Sequence, residues 1–260
     1  MFEEYLRQIE QENIVTILYC CESGARAWQF PSPDSDYDIR FVYVHLLQWY
    51  VSLTSGRDTM EWFSDDRLLD FSGWDLRKTL NLFAVCNPAF NEQLGSPIIY
   101  RENTALSSAI RELIPKFFLP IRAFHHYFSI ADKMQIIHPF EDSIGVKAYF
   151  YIIRPLLACR FILEHQVQPP TSFADLLEQI ELPQEIKNQL IELVERKKNT
   201  KEKTLIEIPD TLIQYTSKLH EEMQALHLGG VNNLLPAGSE ADRSQLETLF
   251  QQFTLHFAGK

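Results

Sequence analysis

The pattern of apolar and polar positions changes character near residue 100. Before it, short runs alternate with period two or are apolar throughout; after it only helical periodicity persists, punctuated by prolines at 115, 120, 139, 155, 169, 170, 183, 209 and 236. Period two marks a half-buried strand, and period 3.6 an amphipathic helix. Residues 2–12 predict an opening amphipathic helix. Ile14 to Cys21 is β-rich and nearly all apolar, as expected of a central strand covered on both faces. Gly24 breaks that run, and the turn-rich stretch Gln29 to Ser35 predicts a loop. Tyr37 to His45 predicts a second strand, with Tyr37, Ile39, Phe41 and Tyr43 on a buried face and Asp36, Asp38, Arg40, Val42 and Val44 on the other. Thr59–Phe63 and Arg67–Phe71 predict two further short strands. A helix over 73–85 follows, with Ser72 as its N-cap and Asp75 in its first turn, ending at Asn87-Pro88.

The helical half predicts helices over 104–118, 121–137, 143–165, 172–180, 184–198, 209–226 and 239–257. Pro155 is expected to kink its helix rather than end it, because the apolar pattern runs on through Leu156, Leu157 and Phe161. The class is therefore α+β: a small mixed-sheet core over residues 1–100, then an all-helical domain over residues 101–260.

Composition narrows the function. A net charge of −11 argues against a protein that grips long nucleic acid by bulk electrostatics, and leaves room for a small nucleotide delivered with magnesium or for one RNA end. No run approaches the roughly 20 apolar residues of a membrane span, and the start Met-Phe-Glu-Glu-Tyr-Leu lacks a signal design, so a cytoplasmic location and no membrane partner are expected. Cys20, Cys21, Cys86 and Cys159 have no metal-ligand spacing and read as buried free thiols. His125-His126 reads as helix packing, and the locally basic run Glu195–Lys203 as a solvated loop between helices.

The chemistry concentrates around residues 22–40. Two carboxylates on one strand face, as Asp36 and Asp38 are placed, repel unless a cation sits between them, which is what a divalent metal site requires. Asp70, between Leu69 and Phe71 on a neighbouring strand candidate, supplies a third acid. Three such carboxylates could hold two magnesium ions that activate an attacking oxygen and stabilise a leaving pyrophosphate. The Gly24-Ala25 turn offers backbone N–H groups to phosphates, with Arg26 as a charge clamp. The plain alternative is that Pro-Asp-Ser-Asp only opens a strand and that Asp38 and Arg40 form an ordinary ion pair. Lys147, Tyr151 and Arg154 share one helix face, a stripe suited to a triphosphate or base, or equally a row of snorkelling surface residues.

An apolar-Gly-small turn followed after about ten residues by Asp-x-Asp resembles the signature of the polymerase-beta-type nucleotidyltransferase superfamily. The strings ESGARAWQFPSPDSDYDIRFVYV, FSGWDLRKTL and YFYIIRPLLACRFI are similar to the branch of predicted nucleotidyltransferases associated with bacterial RNA-repair operons. The resemblance covers most of residues 14–165. It implies a nucleotidyltransferase core at 1–100 and a helical domain at 101–260 lining the nucleotide and acceptor cleft. By that resemblance Asp36, Asp38 and Asp70 are catalytic metal ligands for Mg2+, or Mn2+ in its place. Gly24, Ala25, Arg26, Lys147, Tyr151 and Arg154 would bind the nucleotide. The implied reaction moves an NMP from an NTP such as ATP to a hydroxyl acceptor on an RNA end, a protein or a small molecule. Two departures stand out: Ala25 replaces the family's usual serine, and Gln29 the glycine of its Trp-Gly-Phe. They motivate the alternative of an inactive or weakly active nucleotide- or protein-binding module of the same fold.

Overall fold

The computed structural model describes residues 2–54, 56–64, 66–139, 144–201, 204, 207–235 and 243–257. Residues 143 and 239–242 of the expected helices, and 202 and 203 of the basic run, lie outside them. The described chain is α+β, and it divides into two units.

The first unit comprises Met1–Ala27, Asp36–Phe117 and Glu240–Lys260. Its elements are α1 (Phe2–Asn13), β1 (Val15–Glu22), α2 (Gly24–Ala27), β2 (Tyr37–His45), α3 (Leu47–Tyr50), β3 (Thr59–Phe63), β4 (Leu69–Asp75), α4 (Leu76–Ala84), α5 (Pro88–Leu94), β5 (Ile99–Glu102) and α6 (Thr104–Phe117). The five strands form one mixed sheet in the order β3-β4-β2-β1-β5, with β2 and β4 parallel and the other pairs antiparallel. The alternation read from the sequence sorts β2 correctly. Ile39, Phe41 and Tyr43 join Leu69, Phe71 and the α1 residues Leu6 and Ile9 in one core, while Val42 and Val44 join the core on the other face.

That second core also holds Leu80 and Phe83 of α4, Ile110 and Phe117 of α6, and Phe253 from the last helix of the chain. The boundary expected at residue 100 thus differs from the observed one. The apolar stripes of α6 and of residues 244–257 bury against the sheet core, although their helical period looks like that of the helical half. The helix expected over 73–85 also starts later. Ser72, Gly73 and Trp74 remain in β4, because Gly73 leaves the space that the Phe41 ring fills: a Cβ there would stand 2.2 Å from that ring. Asp75, not Ser72, is the N-cap of α4, accepting from Arg77 N–H at 2.8 Å. Asn87 does not merely end a helix; it caps α5 by accepting from Ala89 N–H.

The second unit comprises Trp28–Ser35 and Phe118–Ser239. It contains α7 (Pro120–Ile137), α8 (Val146–His165), α9 (Phe173–Glu178), α10 (Gln184–Lys198) and α11 (Asp210–Ala225), followed by one π-helical turn, Leu226–Gly230, and a short 3-10 turn. The chain ends with α12 (Ser244–Phe257), which belongs to the first unit. The α8 helix continues through Pro155, and its middle from Ile152 to Cys159 is wholly buried. The segment expected as a plain loop is part of this unit's core. Phe30 stacks on Phe150 at 4.6 Å and meets Phe173 edge-on at 5.5 Å.

Lys197, read from the sequence as part of a solvated loop, is 1% exposed. Its ammonium donates to the Phe30 carbonyl at 2.9 Å and to Ser32 Oγ at 3.3 Å. A buried lysine is tolerated when its donors are used, and here they tie residues 28–35 into the unit. All four cysteines are buried and free, as expected. His125 Nδ1 lies 2.8 Å from His227 Nδ1. No helix among the described residues is long and apolar enough to cross a membrane.

Candidate active site

The parallel pairing of β2 with β4 sets Asp38 directly opposite Asp70. Alternation puts both on the sheet face that also carries Arg40 and Val42. Arg40 bridges the acids: its Nη2 donates to Asp38 Oδ1 at 3.2 Å and to Asp70 Oδ2 at 3.0 Å. Its Nη1 donates to the main-chain carbonyls of Ile39 and Asp70, both at 3.2 Å. The pair expected between Asp38 and Arg40 is therefore present, but it extends to a third residue on the neighbouring strand. The three side chains are each about one quarter exposed, which leaves the cluster open to solvent on one side.

Asp36 precedes β2 and is exposed; its main-chain carbonyl accepts from Arg26, but its carboxylate makes no hydrogen bond or ion pair with the described residues. It does not join the other two acids. Among the described residues no group of three or more His, Cys, Asp or Glu side chains stands ready to hold a metal ion.

The backbone of Asp38 is pinned on both sides. Its N–H donates to Glu22 Oε1 at 2.8 Å, and its carbonyl accepts from Ser23 N–H at 2.7 Å. Glu22, fully buried at the end of β1, also accepts from the Tyr100 hydroxyl. Burial raises its carboxyl above the ordinary range, against the pull of the Tyr100 and Asp38 hydrogen bonds. Next to it, Gly24 has a φ of +59°, and a Cβ there would stand 2.2 Å from Asp38 Oδ2. Only glycine both takes that conformation without strain and leaves room for the carboxylate. The expected turn is a single helical turn, α2, in which Ala25 is partly buried. Arg26 lies 3.7 Å above the Tyr37 ring and donates through Nε to the Asp36 carbonyl at 3.0 Å.

The sequence matches the RNA repair pathway DNA polymerase beta family (RlaP) over residues 1–252. The chain belongs to that family. RlaP membership places it among the polymerase-beta-like nucleotidyltransferases, as the resemblance of the three strings implies. An uncharacterized protein of Bacillus subtilis (strain 168), YcgL, is 40% identical over 210 residues, covering 81% of this chain and 80% of the relative. Among solved structures, a nucleotidyltransferase-like protein from Exiguobacterium sibiricum 255-15 aligns over 97% of this chain and 80% of its own, at 12% identity and a TM-score of 0.33.

In this RlaP chain two members of the helical stripe, Tyr151 and Arg154, meet Trp28. The Tyr151 ring packs edge-on against Trp28 at 5.0 Å, and the Arg154 guanidinium lies 4.4 Å over its face. Arg154 is 2% exposed and donates to the Thr171 carbonyl at 3.2 Å, while Lys147 and Tyr151 are partly exposed. Gln29 takes a φ of +70°, in the left-handed region that favours glycine, and its side chain accepts from Ser172 Oγ at 3.0 Å.

Sequence reasoning missed Glu22, Tyr100 and the bridging role of Arg40. A signal existed for two of them. Glu22 is an acid ending an apolar strand, and Arg40 shares a face with Asp38. Tyr100 had none, because β5 carries no clear strand period. A cavity of about 810 Å³ lies beside His45, Trp49 and Trp62, and none of Asp36, Asp38 and Asp70 lines it.

Proposed function

We propose that the protein is a divalent-metal-dependent nucleotidyltransferase that moves an NMP from an NTP to a hydroxyl acceptor on an RNA end, a protein or a small molecule. The observation that carries this reading is the Asp38–Asp70 register across two parallel strands, with one oxygen of each acid already turned to a single cation, Arg40. The donor set suits a hard ion such as Mg2+ or Mn2+: the acids offer oxygens only, and Asp36 stands exposed at the entry of the same strand. Asp38 and Asp70 would hold the ion, with Asp36 joining once substrate is present. When bound, the ion supplies Lewis acidity and neutralises charge on the transferring phosphoryl group.

The remaining residues position. Glu22 and Ser23 fix the Asp38 backbone, and Gly24 keeps the space above its carboxylate clear. Arg26, stacked on Tyr37, keeps a fixed positive charge beside the strand entry, where a triphosphate would be favoured.

Asp38→Asn and Asp70→Asn should each lower transfer of label from [α-32P]NTPs by about a thousandfold or more, with the fold retained by circular dichroism. Transfer at the wild-type rate in the double variant would sink this reading. The binding-module alternative is favoured by Ala25, which offers no hydroxyl to a phosphate. Calorimetry separates the two: tight magnesium-dependent NTP binding without transfer to total RNA, protein or small hydroxyl acceptors supports the module.

A further inference from the structure

We propose that Arg40 is a built-in counter-cation that keeps the Asp38–Asp70 pair closed to free divalent ions, so that an ion enters only as the guanidinium leaves. This rests on the nucleotidyl-transfer reading and adds a condition for loading its site. One nitrogen, Nη2, stands 3.2 Å from Asp38 Oδ1 and 3.0 Å from Asp70 Oδ2. A magnesium ion bonds carboxylate oxygens at about 2.1 Å, so ion and guanidinium compete for the same oxygens and the same space. The guanidinium is not loosely parked. Its other terminal nitrogen donates to one carbonyl on each strand, so four hydrogen bonds hold it across β2 and β4.

Arginine stays protonated at every working pH, so the closed state does not open by losing its charge. It opens when something else takes the charge. A divalent ion alone gains two carboxylates but leaves a displaced cation beside it, which opposes binding. A triphosphate arriving with the ion offers the freed guanidinium a new anionic partner with the bidentate geometry it favours. Arg40 thereby acts as a positioning residue that makes metal loading depend on nucleotide.

The test is a Mn2+ titration of the full-length protein, followed by the electron paramagnetic resonance signal of the free aquo ion. Wild type, Arg40→Gln and Arg40→Gln/Asp70→Asn are compared with and without an equimolar mixture of the four α,β-methylene NTPs. Wild type should bind Mn2+ weakly alone and more tightly with the analogues. Arg40→Gln should bind Mn2+ alone about tenfold more tightly than wild type. The double variant should lose that gain. Circular dichroism establishes folding, and Arg40→Met replaces Arg40→Gln if the glutamine variant does not fold. A folded Arg40 variant that binds Mn2+ alone no better than wild type, or a gain that survives Asp70→Asn, overturns the inference while leaving the nucleotidyl-transfer reading standing. Wild type that binds no Mn2+ even with the analogues overturns both.

Discussion

Gly24 holds its positive φ directly beneath the carboxylate of Asp38, so two requirements meet at one residue. Gly24→Ala should cost about 1–2 kcal/mol of stability from the left-handed backbone alone, and more from the contact with Asp38. A denaturant midpoint shift, accompanied by weaker Mn2+ binding in the presence of nucleotide, would show both effects; a neutral substitution would refute the close approach. His45 makes a different prediction. Its imidazole is stacked on Trp49 at 4.1 Å, its Nε2 has no hydrogen-bond partner among the described residues, and burial pushes its pKa down to about 4. The native state therefore keeps His45 neutral while the unfolded chain takes up a proton near pH 6.5. Its contribution to stability is intact above about pH 6.5 and is lost as pH falls toward 4. His45→Phe should remove that acid slope, measured by denaturation at a series of pH values, at the cost at neutral pH of the ring's hydrogen bond to the Arg57 backbone. These residue-scale facts differ in how much of them the sequence shows. Gly24 after a strand announces a special turn, whereas nothing around His45 says whether its ring has a partner.

Among elements, the strands were the most legible. Tyr37–His45 and Thr59–Phe63 fall where the alternation puts them, because a strand with one face buried and the other partly polar cannot shift by one residue without exposing its core side chains. The fourth strand and the helix after it were less legible. Ser72 and Asp75 both satisfy the N-cap preference, and the choice between them was made by Gly73 packing under Phe41. The last helix and α10 carry the element-scale predictions. Phe253→Ala in α12 should cost about 3–5 kcal/mol by opening a cavity in the core shared with Leu80 and Phe83. Lys197→Met in α10 should cost about 2 kcal/mol, since the Phe30 carbonyl and Ser32 lose a buried donor. Both are read from thermal or denaturant unfolding.

For the whole chain, the two units make those variants distinguishable. Hydrogen exchange should show Phe253→Ala losing protection first within residues 1–27 and 36–117, and Lys197→Met within residues 28–35 and 118–235. The reverse pattern would contradict the assignment of α12 to the first unit and of residues 28–35 to the second. The helical period alone cannot make that assignment. It says that α6, α10 and α12 each have an apolar face, and it does not say which core each face meets.

The local chemistry of the chain was settled by sequence: the strand that presents Asp38 and Arg40 on one face, the glycine that precedes it and the α+β class follow from residue type, spacing and period, and the resemblance of its strings pointed to the family. The tertiary structure decided what those side chains meet. Asp70 became the partner of Asp38 through the parallel pairing of strands 32 residues apart in register, Arg40 became the bridge between them, and Arg154 became a buried prop under Trp28. The physical reason is range. Period and turn chemistry act within one element, whereas the neighbour of a charge is chosen by which elements pack together, and burying charges is tolerated only where that packing supplies a partner.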